Sequence, residues 1–374
     1  MRGAPQLLYS VGSVIQRKSM LEKVKVAAAQ VAPVFMDREA TIDKACRAIE
    51  EAGKADARLV VFSETFVPGY PYWRGVQPIS RLSDLMVEYQ KNSLLIPSYD
   101  TDVLCDAAAE AGTVVALGCS EMSDLRGSET LYNTILFIGD DGEILGRHRK
   151  LMPTHAERIV WGMGDVRDVR VFNTSVGVVG GMVCYEHHMT LQKASMAALG
   201  EEIHCAVWPG WWVMERHPGA KRRYEEGDST RLCDIEHAIR ECAFETQTFV
   251  ISVSQYIPDD QMPDYCKDFN IAAGGSCIVN PAGVFLREPV LNREEIIYAE
   301  LDADDRRHTK AYFDALGHYT RWDVMRLDLR GEPAEPLTEE SGPWDIDDET
   351  VTLLADKYEL DPEKVRRLLD DFLG

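Results

Sequence analysis

The chain of 374 residues carries 40 Lys and Arg against 62 Asp and Glu, a formal charge of −22, with 45% hydrophobic residues. That length suits one large domain or two ordinary ones, and the apolar share is that of a globular protein. So acidic a balance argues against a nucleic-acid partner, because neutralising phosphates takes clustered Lys and Arg.

No apolar run approaches the roughly 18 residues of a membrane span, so no membrane partner is expected. The apolar stretch within residues 1–19 is interrupted by Ser10, Gly12, Ser13 and Gln16 and is followed by no small-residue cleavage site, unlike a signal peptide. Residues 1–22 are taken as an N-terminal extension, residues 23–330 as the main domain and residues 331–374 as an acidic C-terminal tail. The tail holds 14 acidic and 4 basic residues, a composition of solvated segments. Nine cysteines are scattered without a CxxC pair or a zinc-like Cys/His spacing, which fits a reducing, cytoplasmic setting and no metal.

In chain order, Val24 to Gln30 reads as a first strand. Asp37 to Ala52 follows with Ile42, Ala45, Cys46 and Ile49 at helical spacing. Arg58 to Phe62 is a second, buried strand running into SETFVPGYPYW, which sets Glu64 at a strand's C-terminal end. Ile79 to Asn92 is expected to be helical or mixed. A helix from Asp100 through Ala111 should end at Gly112, before a strand Thr113 to Gly118. Tyr132 to Ile138 and Glu143 to His148 flank Asp140-Asp141-Gly142 as a hairpin.

That hairpin delivers RHRKLMPTHAER. Arg147, Arg149 and Lys150 look like a basic patch, but in so acidic a chain a lysine entering a cleft beside carboxylates is the sharper reading. Glu157 lies seven residues on. The run Val176 to Val183 is apolar, β-branched and glycine-interrupted, the pattern of a strand buried on both faces. Cys184 stands at its end, before a helix spanning Met189 to Leu199. A lone cysteine is often a small buried hydrophobe. At a strand-to-helix junction, however, a thiol can be held rigidly near amide N–H groups.

Beyond it come a strand Ile203 to Trp208, a loop PGWWV with Trp211 and Trp212, and a long helix capped by Ser229 or Thr230 that runs through Glu245. A strand Phe249 to Ser254, a hairpin of Gly274 to Asn280 with Val284 to Arg287, and a last strand Ile296 to Leu301 complete the core. Short strands alternating with helices indicate an α/β or α+β unit. In the tail, two short helices broken near Asp361-Pro362 are expected, the second with Leu368, Leu369, Phe372 and Leu373 on one side. No Gly-rich phosphate loop or GxSxG occurs.

Glu64, Lys150, Glu157 and Cys184 thus follow strands or a hairpin in that order. FSETFVPGYPYW, HRKLMPTHAERIVWG and GGMVCYEHHM resemble the signatures of the nitrilase superfamily, carbon–nitrogen hydrolases with a Glu-Lys-Glu-Cys constellation. The resemblance covers about Val24 to Leu329, and the late GHYTRWDVMRL resembles a segment that follows the core of true nitrilases. It implies a four-layer α-β-β-α sandwich. It also implies self-association into dimers and, for microbial nitrilases, into spiral or helical filaments. One residue departs from the pattern. Typical nitrilases follow the nucleophile with Trp-Glu, whereas here Tyr185-Glu186 follows. Aliphatic amidases of the superfamily carry Cys-Tyr, but then Asp.

The implied chemistry is hydrolysis of an organic nitrile to the acid and ammonia. Cys184 is the nucleophile, Glu64 the base, Lys150 the fixed cation, and Glu157 orients Lys150 or assists proton transfer. Amide hydrolysis, or release of amide by a hydratase-type route, is the alternative. No metal or organic cofactor is required. The resemblance places Tyr70, Trp161, Tyr185, Trp208 and Pro209 against the substrate, while His187 and His188 read as packing residues or as supports behind the reacting groups.

Overall fold

The computed structural model describes residues 20–210, 234–269, 271–329, 351, 355 and 360–366. Trp211, Trp212, the cap at Ser229 or Thr230 and most of the N-terminal extension and acidic tail lie outside them. Contacts divide the chain into Met1–Gly331 and Glu332–Gly374. In the second unit Val351, Ala355 and Val365 pack on one another.

The first unit contains two sheets. One is built from β1 (Lys23–Gln30), β2 (Leu59–Phe62), β4 (Val114–Met122), β5 (Leu131–Ile138), β6 (Ile144–Arg149) and β13 (Glu295–Asp302), in the order β13-β1-β2-β4-β5-β6, with the short β3 (Leu94–Leu95) on β4. The other has β7 (Phe172–Asn173), β8 (Val178–Val183), β9 (Ile203–Trp208), β10 (Phe249–Ser254), β11 (Gly274–Val279) and β12 (Phe285–Leu291), in reverse chain order from β12 to β7. Each has a parallel centre, β1-β2-β4 and β8-β9-β10, and antiparallel flanks.

The period-2 alternation of strand side chains divides the core. On β1, Val26 and Ala28 face the second sheet with Leu59, Val61, Ala116, Ile135 and Phe137, meeting Val179, Val183, Val207 and Ile251. Ala27, Ala29, Val60, Phe62, Val115 and Leu117 face outward onto Ile42, Ala45 and Ile49 of α1 (Arg38–Lys54) and Leu104 and Ala108 of α3 (Tyr99–Ala111). Beneath the second sheet, Met196 of α4 (Thr190–Ala198) and Ile239, Cys242 and Ala243 of α5 (Asp234–Thr246) join the intersheet cluster. The result is the expected α-β-β-α sandwich, with both sheets covered and hence nearly continuous apolar strands.

Asp37 accepts the Ala40 N–H at 3.0 Å to start α1. Gly112 ends α3 at φ 58°, a left-handed turn that costs glycine little. α2 spans Ile79–Lys91. One expectation is corrected. β4 runs to Met122 rather than ending at Gly118, because Ser120, Glu121 and Met122 continue the ladder with β5. Its buried Glu121 is compensated by Arg147 and Arg149, each at 2.6 Å, and by Thr134 at 2.7 Å. The apparent basic patch therefore divides, two arginines to Glu121 and Lys150 elsewhere. The structure also adds β7 and a helix α6 (Ala303–Tyr312) that the pattern did not announce. The cysteines among the described residues are all free, and no described helix is long and apolar enough to cross a membrane.

Candidate active site

β6 is antiparallel to β5, which is antiparallel to β4. The C-terminal ends of β2, β4 and β6 therefore share one edge of the first sheet, where open α/β sheets characteristically hold their sites. Glu64 follows β2 and Lys150 follows β6 on that edge. Glu157 lies in a 3-10 turn, His155–Ile159, just beyond. Cys184 follows β8 of the second sheet. The four expected side chains thus come together from two sheets, and each is 0–1% exposed.

The geometry is compact. Lys150 Nζ donates to Glu157 Oε2 at 2.7 Å and to Glu64 Oε1 at 3.3 Å. One oxygen from each glutamate and the Cys184 Sγ lie within 4.8 Å of one another. Such a donor set resembles a cation site, but the Lys150 ammonium already contacts both carboxylates and supplies the positive charge. Glu157 Oε1 accepts from the Tyr70 hydroxyl at 2.6 Å, and its Oε2 also accepts the Thr154 N–H at 2.7 Å. Glu64 Oε1 accepts from Asn133 Nδ2 at 2.6 Å, while its Oε2 has no partner among the described residues.

These contacts separate the protonation states. Burial pushes the Glu64 carboxyl up; Lys150 opposes and Glu157 reinforces this, and the group stands at about 7. Burial also pushes Glu157 up, but Lys150 and Arg74 pull harder, and it lies below the ordinary carboxylate range. For Lys150, burial is outweighed by the two glutamates, so it stays charged. Burial, with Glu64 adding to it, holds the Cys184 thiol well above its ordinary value. The resting site is therefore a neutral thiol beside a carboxyl poised near neutrality, which is the pairing proton transfer at pH 7 needs.

The backbone holds these groups tightly. Cys184 has φ 53°, a left-handed conformation costing a non-glycine residue about 1–3 kcal/mol and characteristic of functional turns. Glu186 steadies the turn. Its Oε2 accepts the Val183 N–H at 2.7 Å and faces His148 Nε2 at 2.8 Å. Its Oε1 accepts the Leu151 N–H at 2.8 Å and Gln192 Nε2 at 3.0 Å. One buried carboxylate thus joins the residue before Cys184 to the residue after Lys150. On the Glu64 side, β4 passes so close that a Cβ on Gly118 would lie 2.1 Å from the Ser63 carbonyl oxygen.

Of the expected substrate contacts, Tyr70 and Trp161 are brought together, with ring centroids 5.7 Å apart, beside Glu157. Tyr185 is half-buried with its ring 5.0 Å from that of His188. Trp208 stacks on His187, with ring centroids 4.8 Å apart. The Pro209 carbonyl accepts from the Tyr72 hydroxyl. Sequence reasoning missed Asn133 and Gln255. Gln255 reaches across the sandwich: its Nε2 donates to the Glu64 carbonyl at 3.1 Å, and its Oε1 accepts from the Tyr70 N–H at 3.1 Å and the Tyr72 hydroxyl at 2.9 Å. The available signal for Asn133 was an amide inside an otherwise buried strand.

A family model described as carbon-nitrogen hydrolase matches residues 25–311. The chain belongs to the carbon-nitrogen hydrolase family. As a member of that family it is a hydrolase acting on carbon–nitrogen bonds. Among curated relatives of this hydrolase, an aliphatic nitrilase of Rhodococcus rhodochrous is 35% identical, with 84% of each chain covered. An arylacetonitrilase of Aspergillus kawachii is 38% identical over 83% of this chain and 93% of its own. A solved Saccharomyces cerevisiae member of branch 10 of the nitrilase superfamily shares the fold, with a TM-score of 0.63 and 22% identity over 80% of this chain and 97% of that one.

Proposed function

We propose that this hydrolase is a nitrilase that converts an organic nitrile to its carboxylic acid and ammonia through a thioimidate and then a thioester on Cys184. The observation that carries the reading is the buried set of Glu64 at about 7, Lys150 and Glu157 within reach of Sγ. A free thiol is only roughly 3% thiolate at pH 7, and here burial lowers that share further. Glu64 takes the Sγ proton as sulfur adds to the nitrile carbon. Lys150 favours the charge that develops, and the proton held on Glu64 passes to the nitrogen, giving the thioimidate and freeing the carboxylate.

Glu64 then activates a water for attack on that carbon. The carbon–nitrogen bond breaks, ammonia leaves, and a thioester remains. A second water releases the acid and restores the thiol, so two waters are consumed for each ammonia. If the tetrahedral species expels sulfur instead, one water is consumed and an amide leaves. Glu157, held below the ordinary range, keeps Lys150 charged and aimed. Tyr70, Trp161, Tyr185, Trp208 and Pro209 are assigned to the substrate's organic group, with the Tyr70–Trp161 pair nearest the charged cluster.

Tyr185, where nitrilases carry tryptophan, favours a second reading as an amidase. Ammonia release from an aliphatic dinitrile, an arylacetonitrile, cyanide and the matching amides decides between them, with Cys184→Ala as the blank. Release from the nitriles but not the amides is expected; release from amides alone would overturn the nitrilase reading. The reading includes self-association, since Leu191 on α4 and Phe244 on α5 are exposed. Light scattering should report a particle larger than one chain, and a monomer would remove that element.

A further inference from the structure

Behind the nucleophile lies a buried chain of titratable groups that the reaction scheme leaves unused. His187 Nδ1 is 2.7 Å from the Cys184 carbonyl oxygen. His187 Nε2 is 3.0 Å from His204 Nε2, and His204 Nδ1 is 2.8 Å from Glu201 Oε1. All three side chains are 0–1% exposed. His204 lies on β9, two pleats from Trp208 on the same face, and the Trp208 ring stacks on His187 at an interplanar angle of 27°.

The proton positions follow from the partners. A carbonyl oxygen only accepts, so His187 Nδ1 carries a hydrogen. Burial, with His204 adding to it, holds His187 well below its ordinary value, so its ring is neutral and Nε2 has a lone pair. His204 Nε2–H must then be the donor to it. The hydrogen bonds from His204 and His187 all point toward the Cys184 carbonyl.

That carbonyl belongs to the same peptide unit as the Tyr185 N–H, and the Tyr185 backbone pulls the Cys184 thiol down, against its burial. Hydrogen bonds in a chain polarise one another, by about 10–30% per bond. A donor on the carbonyl oxygen therefore makes the N–H across the same amide a stronger donor. The same bond also pins a turn that sits at φ 53°.

We propose that His187, oriented by His204 and Glu201, is a positioning residue that holds and polarises the Cys184–Tyr185 peptide so that the Tyr185 N–H stabilises negative charge on Sγ. The inference rests on Cys184 being the nucleophile, but it does not depend on whether the substrate is a nitrile or an amide.

The test reads the thiol itself. The full-length protein is alkylated with iodoacetamide across pH, and modification of the peptide containing Cys184 is followed by mass spectrometry. This readout remains valid if no nitrile is turned over, so its failure is distinct from failure of the proposed function. Glu64, Lys150, Glu157 and Tyr70 face Sγ and are left intact. His187→Leu removes the donor; His187→Asn keeps an N–H near the Nδ1 position.

His187→Leu is expected to slow Cys184 alkylation at pH 7 about tenfold. It should also raise the midpoint of the pH profile by about one pH unit, the size expected for losing a hydrogen bond to the charged form. His187→Asn should restore most of both, and kcat on any accepted substrate should fall in the leucine variant with KM little changed. An unchanged profile in folded His187→Leu overturns the proposal, as does equal impairment in both variants. If His187→Leu does not fold, His204→Leu and His204→Gln are compared. Gln keeps an N–H toward His187, so Leu should raise the midpoint and Gln should not; identical profiles overturn the proposal.

Discussion

Two buried carboxylate–cation groups lie side by side in this hydrolase, and they behave in opposite ways. Glu64 shares Lys150 with a second carboxylate and takes hydrogen bonds on one oxygen only, from Asn133 and Lys150. It stands at about 7. Glu186 is equally buried, but two backbone N–H groups, Gln192 and His148 surround both of its oxygens. Burial pushes it up as well, yet His148 and these donors bring it to about 2, while Glu186 in turn raises His148 to about 9 against its own burial. The number of donors aimed at the ionised form, not burial, decides which carboxyl is poised to exchange protons and which is a fixed structural anion.

The largest contrast comes from removing each charge in turn. Glu64→Gln should cut kcat/KM about 10²–10⁴-fold, the usual worth of a general base, without lowering the thermal midpoint, because Glu64 is costly to bury in its charged form. Glu186→Gln should instead destabilise the fold by about 3–5 kcal/mol, since it strands His148 in the interior. A calorimetric scan and a rate assay on both variants suffice. Equal loss of stability in the two would break the comparison.

Proton dependence gives a smaller but sharper test. Glu64 acts as base only when ionised, so kcat/KM should fall about tenfold per pH unit below pH 7 and level off above it. The structural pair has a different window. The stability that Glu186 contributes is present above its unfolded value near 4.5 and is lost as pH falls toward about 2. That from His148 is present below about 6.5 and is lost as pH rises through about 9. Denaturant midpoints measured across pH should decline on both flanks while activity changes near 7. Coincident transitions would mean that one group governs both.

The order of the core strands, the two hairpins and the end of α3 at Gly112 were legible from the sequence, because periodicity and turn chemistry are short-range signals, while the gathering of Glu64, Lys150, Glu157 and Cys184 was expected from the resemblance of their motifs to a known family. The buried end of β4 was not, since Glu121 reads as a loop acid until Arg147 and Arg149 are brought to it. Nor was the assignment of partners. Asn133 lies 69 residues from Glu64, and Gln255 lies 191 from it. Glu186 contacts Leu151 from 35 residues away. His187 reads as either a packing residue or a support until β9 sets His204 and Glu201 behind it. The sequence by itself determined which chemical groups the strands would end in. The packing of two sheets decided how many donors each group meets, and a buried charge takes its proton affinity from those donors.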